Sequence, residues 1–140
     1  MYYHSRKNRK KYLSFPKAVI CPFCDPAELQ ARTIRETEHN IIMPNRVFYD
    51  QWETRNVTDH LLLFPKKHEI HLAAMDDDAK LDMMHIMGEY EDKGYEIYTR
   101  SHTNIQRSQD HLHIHLIKTE TARARGMFFW NKPYILWRFK

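Results

Sequence analysis

Residues 108–118 read Ser-Gln-Asp-His-Leu-His-Ile-His-Leu-Ile-Lys, with three histidines separated by single aliphatic residues. In a β-strand, successive side chains leave opposite faces of the sheet. A strand over residues 111–118 therefore sets His111, His113 and His115 on one face and Leu112, Ile114 and Leu116 on the other. The aliphatic face belongs in a core. The other face presents imidazoles, which can attack phosphorus, move protons near neutral pH, donate to phosphate oxygens or bind zinc. Imidazole is a poor core filler, so a row at strict period two points to chemistry rather than packing. Three ligands in a line along one strand do not easily converge on one tetrahedral ion, which disfavours a zinc site built from these three alone.

Outward from this strand, the chain has the size and balance of one domain with one core: 140 residues, 42% hydrophobic and 29% charged. That composition excludes wholesale disorder. No apolar run approaches the roughly 20 residues of a membrane helix. No apolar stretch with a cleavage site follows the basic N-terminus. A cytoplasmic protein without membrane association is the expectation. The net charge is +4, and much of the excess lies in residues 1–17, with Arg6, Lys7, Arg9, Lys10, Lys11 and Lys17. This segment reads as a solvated basic tail, or as a contact for nucleic acid or another polyanion. The two cysteines, Cys21 and Cys24, are spaced Cys-x-x-Cys, which leaves a redox pair or half of a metal site.

Periodicity supplies the remaining elements. Residues 40–49 read as two short strands joined at Pro44-Asn45. Residues 61–64 form an apolar run that suits a strand buried on both faces. Three aspartates at 76–78 and Gly94 bound a helix over residues 77–93. On it Leu81, Met84, His85 and Gly88 share a face, with Met87 and Glu91 beside them, and the methionine-rich stripe reads as core packing. Residues 95–100 read as a strand and 101–110 as a polar loop. His39, His71, His85 and His102 read as surface or packing residues, although His102 lies in the loop before the triad, within reach of a substrate. The C-terminus carries Phe128, Phe129, Trp130, Tyr134, Trp137 and Phe139, a set that suits packing on the domain or on a partner subunit. The organisation expected is a basic tail (1–17), a domain (18–120) and an aromatic extension (121–140).

Residues 108–117 resemble the His-x-His-x-His motif of the histidine-triad (HIT) family. Cys21-Pro22-Phe23-Cys24 is similar to the N-terminal Cys-x-x-Cys of many bacterial members. His60-Leu61-Leu62-Leu63-Phe64-Pro65-Lys66-Lys67-His68 resembles the family's His-x-Leu-x-x-Pro-Lys-x-His strand. The resemblance covers about residues 20–118. It implies an α+β, HIT-like fold, with an antiparallel sheet of about five strands and one main helix, a nucleotide held over the histidine face, and a homodimer.

The resemblance also implies roles. His113 is the nucleophile that attacks the α-phosphate and forms a nucleotidyl-imidazole intermediate. His115 contacts the phosphate. His60 supports the nucleophile by accepting its other ring proton, and Ser108 lies near the scissile phosphate or leaving group. Asp50 matches the acid that holds the ribose. Cys21, Cys24, His68 and His111 match the ligands of a structural Zn2+. Where the family commonly has asparagine, and then glycine and glutamine, this chain has Arg100, Gln106 and Arg107; Asn104 offers a substitute amide. Arginines beside a phosphate site favour a more highly phosphorylated substrate or a polyanionic leaving group. The implied activity is that of a nucleotide hydrolase or nucleotidyl transferase: a phosphoramidase, a dinucleoside polyphosphate hydrolase, or an enzyme of adenylylated conjugates. The alternative is a module that binds a nucleotide or nucleic-acid end with little catalysis.

Overall fold

The computed structural model describes residues 2–15, 20–105, 107–123, 126–131 and 134–139. In chain order these form β1 (Tyr2–Tyr3), α1 (Arg6–Ser14), α2 (Pro26–Arg32), β2 (Arg35–Glu36), β3 (Asn40–Pro44), β4 (Gln51–Trp52), β5 (Arg55–Pro65), a 3-10 turn (Leu72–Ala74), α3 (Asp77–Asp92), β6 (Glu96–Thr99), β7 (Ile114–Arg123), β8 (Gly126–Asn131) and β9 (Tyr134–Phe139). Strands β1 to β7 make one antiparallel sheet, and β8 pairs with β9 in a separate hairpin. β5 is the spine. One of its edges pairs with β4 near Arg55 and with β3 from Leu61 to Pro65; the other pairs with β7, which carries β6 outside it. Among the described residues no helix is long and apolar enough to cross a membrane.

The period-two rule sorts the two faces of the sheet. Ile42, Leu61, Leu63, Ile114 and Leu116 point to one side, where they meet Ala79, Met83, Ile86 and Tyr90 of α3. These helix residues recur at intervals of three and four, so they form one stripe. Each fully buried aliphatic or methionine side chain there contributes roughly 1.5–3 kcal/mol. The alternate residues Ile41, Met43, Leu62 and Phe64 point to the other side and pack with Phe23. His60 and His115 share that second side by the same parity.

Helix α3 has the predicted span, but a different face is buried. Leu81 and Met84 are 56% and 60% exposed, while Met83 and Ile86 lie in the core. Both stripes have helical spacing and both contain methionine, so apolar count alone does not separate them. The sheet does, by meeting the stripe that carries Ala79 and Tyr90. Below the C-terminal end, Gly94 takes a left-handed φ of 81°. Its N–H donates to the Glu91 carbonyl, and the Tyr95 N–H donates to the Tyr90 carbonyl, which closes the helix as a glycine stop should.

Three further expectations change. The second strand expected over residues 47–49 is a loop, because Asn45 and Asp50 turn the chain back over His60 instead of into a ladder. The strand expected over residues 111–118 enters the ladder only at Ile114 and runs on to Arg123. Residues Arg6–Ser14 of the segment read as a basic tail are helical, with Ser5 Oγ accepting from the Asn8 N–H at the N-cap.

Candidate active site and metal centre

His111, His113 and His115 are 1%, 6% and 6% exposed, and His60 is 0% exposed, so the histidine face is a covered cluster rather than an open row. The aromatic rings of Phe23, Tyr49 and Tyr98 form its walls. Phe23 lies 5.3 Å from His113, while Tyr49 lies 4.5 Å from His60 and 5.6 Å from His115. Tyr98 lies 5.8 Å from His115.

Proton positions can be assigned from the hydrogen-bond network. The Tyr49 N–H donates to His60 Nδ1 at 3.3 Å, so that nitrogen is bare. His60 Nε2 then carries the proton and donates to His115 Nδ1 at 2.9 Å. The proton of His115 is therefore on Nε2, where it can be donated to an oxygen. The Asn45 amide nitrogen lies 3.4 Å and 3.2 Å from the two nitrogens of His60, which places it against the ring rather than in line with either lone pair. His113 Nδ1 lies 2.8 Å from the His111 carbonyl and donates to it. That leaves His113 Nε2 with an unshared lone pair.

Burial keeps these rings neutral. It pulls His60 down to about 3, with the neighbouring His4 and His113 adding to the effect. It holds His115 well below the ordinary imidazole range, and it lowers His113 against the opposing pull of the His111 carbonyl. A neutral imidazole with an unshared Nε2 pair has the electronic form that nucleophilic attack requires, without prior deprotonation. The positive charge nearby comes from Arg107 and Arg100, both of which act electrostatically on His113.

The site residues expected from the sequence fall into three groups. His60, His113 and His115 come together, but the acceptor for the second ring proton of His113 is the His111 carbonyl, and His60 serves His115 instead. The parity of β5 and β7 accounts for this: Leu62 lies opposite His115, and His60 reaches across the same face to it. Asp50 is held by the N-terminal segment. Its carboxylate accepts from the Ser5 N–H at 2.6 Å and the Asn8 amide at 3.0 Å. Arg107 donates to the carbonyls of Gln109, Asp110 and Ile70, and so pins the loop that leads into the triad. Arg100 lies over the Tyr98 ring at 5.5 Å. Ser108 and Asn104 are exposed in the same loop, and no described contact joins Ser108 to the histidines. His85 and His102 are exposed; His39 and His71 are half-buried, and His71 packs edge-on against His102.

Sequence reasoning missed Phe23, Tyr49, Asn45 and His4. Phe23 sits inside the quoted Cys-x-x-Cys, and a large apolar residue in a polar knuckle is the signal that marks it. The other three carry no local signal, since their place depends on how the loop of residues 45–50 folds over His60.

Four further donors converge beside the cluster. The ligand atoms of Cys21, Cys24, His68 and His111 all lie within 4.8 Å of one another. Cys24 Sγ is 3.3 Å from His68 Nδ1 and 3.5 Å from His111 Nδ1, and Cys21 Sγ is 3.6 Å from His111 Nδ1. A tetrahedral zinc with ordinary Zn–S and Zn–N bonds separates sulfur from nitrogen by about 3.6 Å. The donor set therefore fits such an ion. His111 Nε2 donates to the Pro65 carbonyl at 2.9 Å, which frees Nδ1 toward the cysteines in the manner of an oriented metal ligand. Burial and the neighbouring Cys21 thiol push the Cys24 thiol up to about 11. A bound cation would stabilise its thiolate.

Next to Phe23 the surface opens into a concavity of about 530 Å³, lined by Phe23, Leu29 and Ile41 with Gln30, Thr33, Glu36 and Lys66 at its polar edge.

In structure, the chain is similar to a HIT family hydrolase from Clostridium thermocellum (TM-score 0.52, 19% identity, covering 75% of this chain and 95% of that one). It is also similar to a histidine triad protein from Clostridium difficile (TM-score 0.52, 16% identity, covering 78% of this chain and 99% of that one). No family model and no curated protein matches the sequence. The chain has the histidine-triad fold, an α+β domain built on an antiparallel sheet.

Proposed function

We propose that this chain is a nucleotide hydrolase or nucleotidyl transferase acting at the α-phosphate through a covalent nucleotidyl-His113 intermediate. The observation that carries the reading is the hydrogen-bond pattern of the cluster, His113 Nδ1 on the His111 carbonyl and His60 Nε2 on His115 Nδ1, which assigns a bare Nε2 to His113 and a protonated Nε2 to His115. The first supplies an electron pair to phosphorus. The second donates to a non-bridging oxygen as negative charge builds on it.

In the first step the His113 lone pair forms the P–N bond. The bond to the leaving group breaks, and that group departs with the bonding pair and takes a proton from water. In the second step a water or another acceptor hydroxyl adds to phosphorus and loses its proton to solvent. The P–N bond then breaks, and its electron pair returns to Nε2. Arg100, which acts electrostatically on His113, offers charge to the phosphates. Cys21, Cys24, His68 and His111 hold a structural Zn2+, which fixes the knuckle carrying Phe23 and the start of the triad segment. Ser108, near the leaving group, is carried by the sequence resemblance. So are the homodimer, with the aromatic extension after residue 120 as a contact, and the cytoplasmic setting.

The test is a panel of nucleoside phosphoramidates, dinucleoside polyphosphates and adenylylated conjugates, assayed for mononucleotide release by the wild type and by His113→Ala. Release by the wild type that the substitution abolishes supports the reading. Nucleotide binding without turnover of any member replaces it with the binding module.

A further inference from the structure

The N-terminal segment reaches the histidine cluster through a single layer of chain, the loop of residues 45–50. On its inner side this loop presents the Tyr49 N–H to His60 Nδ1. On its outer side it is gripped by the segment around α1. Asp50 accepts from the Ser5 N–H and the Asn8 amide, and its negative charge sits at the positive end of α1. His4 Nδ1 lies 3.1 Å from the Phe48 carbonyl and donates to it, while its ring meets Tyr49 edge-on at 5.2 Å. Farther along, the Arg46 guanidinium lies over the Phe15 ring at 5.3 Å. Four residues of the loop are thus held from outside by α1 and its flanks, and one of them sets the tautomer of a buried histidine.

We infer that α1 is a positioning element of the site, with Asp50 as its anchor. Docking of His4, Ser5 and Asn8 on the loop fixes the Tyr49 N–H on His60 Nδ1, and so determines which nitrogen of His60 and of His115 carries the proton. Asp50 and His4 act on the reaction only through His60 and His115. The effect on turnover rests on the function proposed above; the effect on tautomers does not.

The experiment is nitrogen NMR of the imidazoles in the full-length, zinc-loaded protein at neutral pH. In the wild type, His60 and His115 each show a bare Nδ1 and a protonated Nε2. In Asp50→Ala both shift toward a mixture of tautomers, while His113, anchored by its own backbone carbonyl, keeps its proton on Nδ1 and serves as the internal control. The turnover number falls on the order of tenfold with KM little changed, as for an orienting group that never touches substrate. Unchanged tautomers at His60 and His115 in a folded Asp50→Ala overturn the inference, since the loop is then held by its inner contacts alone. Should Asp50→Ala not fold, Asn8→Ala and His4→Ala remove single outer contacts and are read the same way: a partial shift supports the inference, and none overturns it. A wild type that shows the single tautomers but turns over nothing refutes the proposed activity and leaves the positioning role standing.

Discussion

Two clusters of imidazoles adjoin at the start of β7, and His111 and His113, separated by one residue, belong to different ones. At the metal centre, His111 points its free nitrogen toward two cysteines, and its other nitrogen is taken by the Pro65 carbonyl. At the reactive cluster, His113 keeps its free nitrogen away from any described partner, and its other nitrogen is taken by the His111 carbonyl. The two residues have the same side chain and burial but different neighbours. What separates the proposed ligand from the proposed nucleophile is what surrounds the bare nitrogen: converging cysteine and histidine donors in one case, the electrostatic influence of Arg100 and Arg107 in the other.

The sharpest way to break that comparison is to remove one histidine function at a time. His113→Ala is expected to lower mononucleotide release by about a thousandfold or more while zinc content, measured by metal analysis, stays at one ion per chain. Loss of zinc along with activity would merge the two clusters into one. Next in size, Cys24→Ser should release the zinc and lower unfolding free energy by more than about 2 kcal/mol, read by denaturant titration. Full retention of zinc would remove Cys24 from the centre.

The reactive cluster also makes a pH prediction, and His111 beside it, which burial pulls down to about 4, works in the same direction. His60 is held at about 3 in the fold against an ordinary 6.5. Below pH 6.5 the unfolded chain takes up a proton that the folded His60 refuses, so stability is fully present above that value and is lost as the pH falls toward 3. For this one group the loss is about 2 kcal/mol between pH 7 and pH 5. Denaturant melts of wild type and His60→Gln across that range test it: the substituted protein should show the shallower dependence, and equal slopes would contradict it.

Much of this was legible in the sequence, for reasons that differ between the regions. The alternation of sides over Leu61–Phe64 and Ile114–Leu116 survives folding, because period two is a property of an extended backbone, and Leu112 joins the same core although the ladder begins only at Ile114. The four metal-binding candidates were legible through motif resemblance, and they do converge. Partner identity was not legible. The second ring proton of His113 goes to a backbone carbonyl, which no side-chain motif encodes. Asp50 looked like a substrate ligand, but it lies in contact with Ser5 and Asn8 of a segment about 40 residues earlier. Nor was the buried stripe of α3, because Leu81 and Met84 are as apolar as Met83 and Ile86 and only the sheet decides which stripe is covered.

The two arginines sharpen the comparison further. Arg100→Ala should raise KM about tenfold with a smaller effect on the turnover number, as loss of a phosphate-side cation does. Arg107→Ala should act mainly on stability, since its guanidinium is spent on three loop carbonyls. Steady-state kinetics beside thermal melts separates these outcomes, and equal kinetic effects from both would place Arg107 on the substrate. The smallest expected effect is at Leu81→Ala, within about 0.5 kcal/mol in the same melts, against about 2–5 kcal/mol for Met83→Ala. The reverse order would restore the face read from the sequence.

The nucleophilic role of His113 is tested most directly by intact-protein and peptide mass spectrometry. The wild type is mixed with a nucleoside phosphoramidate and quenched without acid, so that a P–N bond survives. The account predicts one added nucleoside monophosphate, located on the peptide at His113 and absent from His113→Ala. Steady turnover with no adduct on the wild type, and unimpaired turnover by His113→Ala, would contradict it.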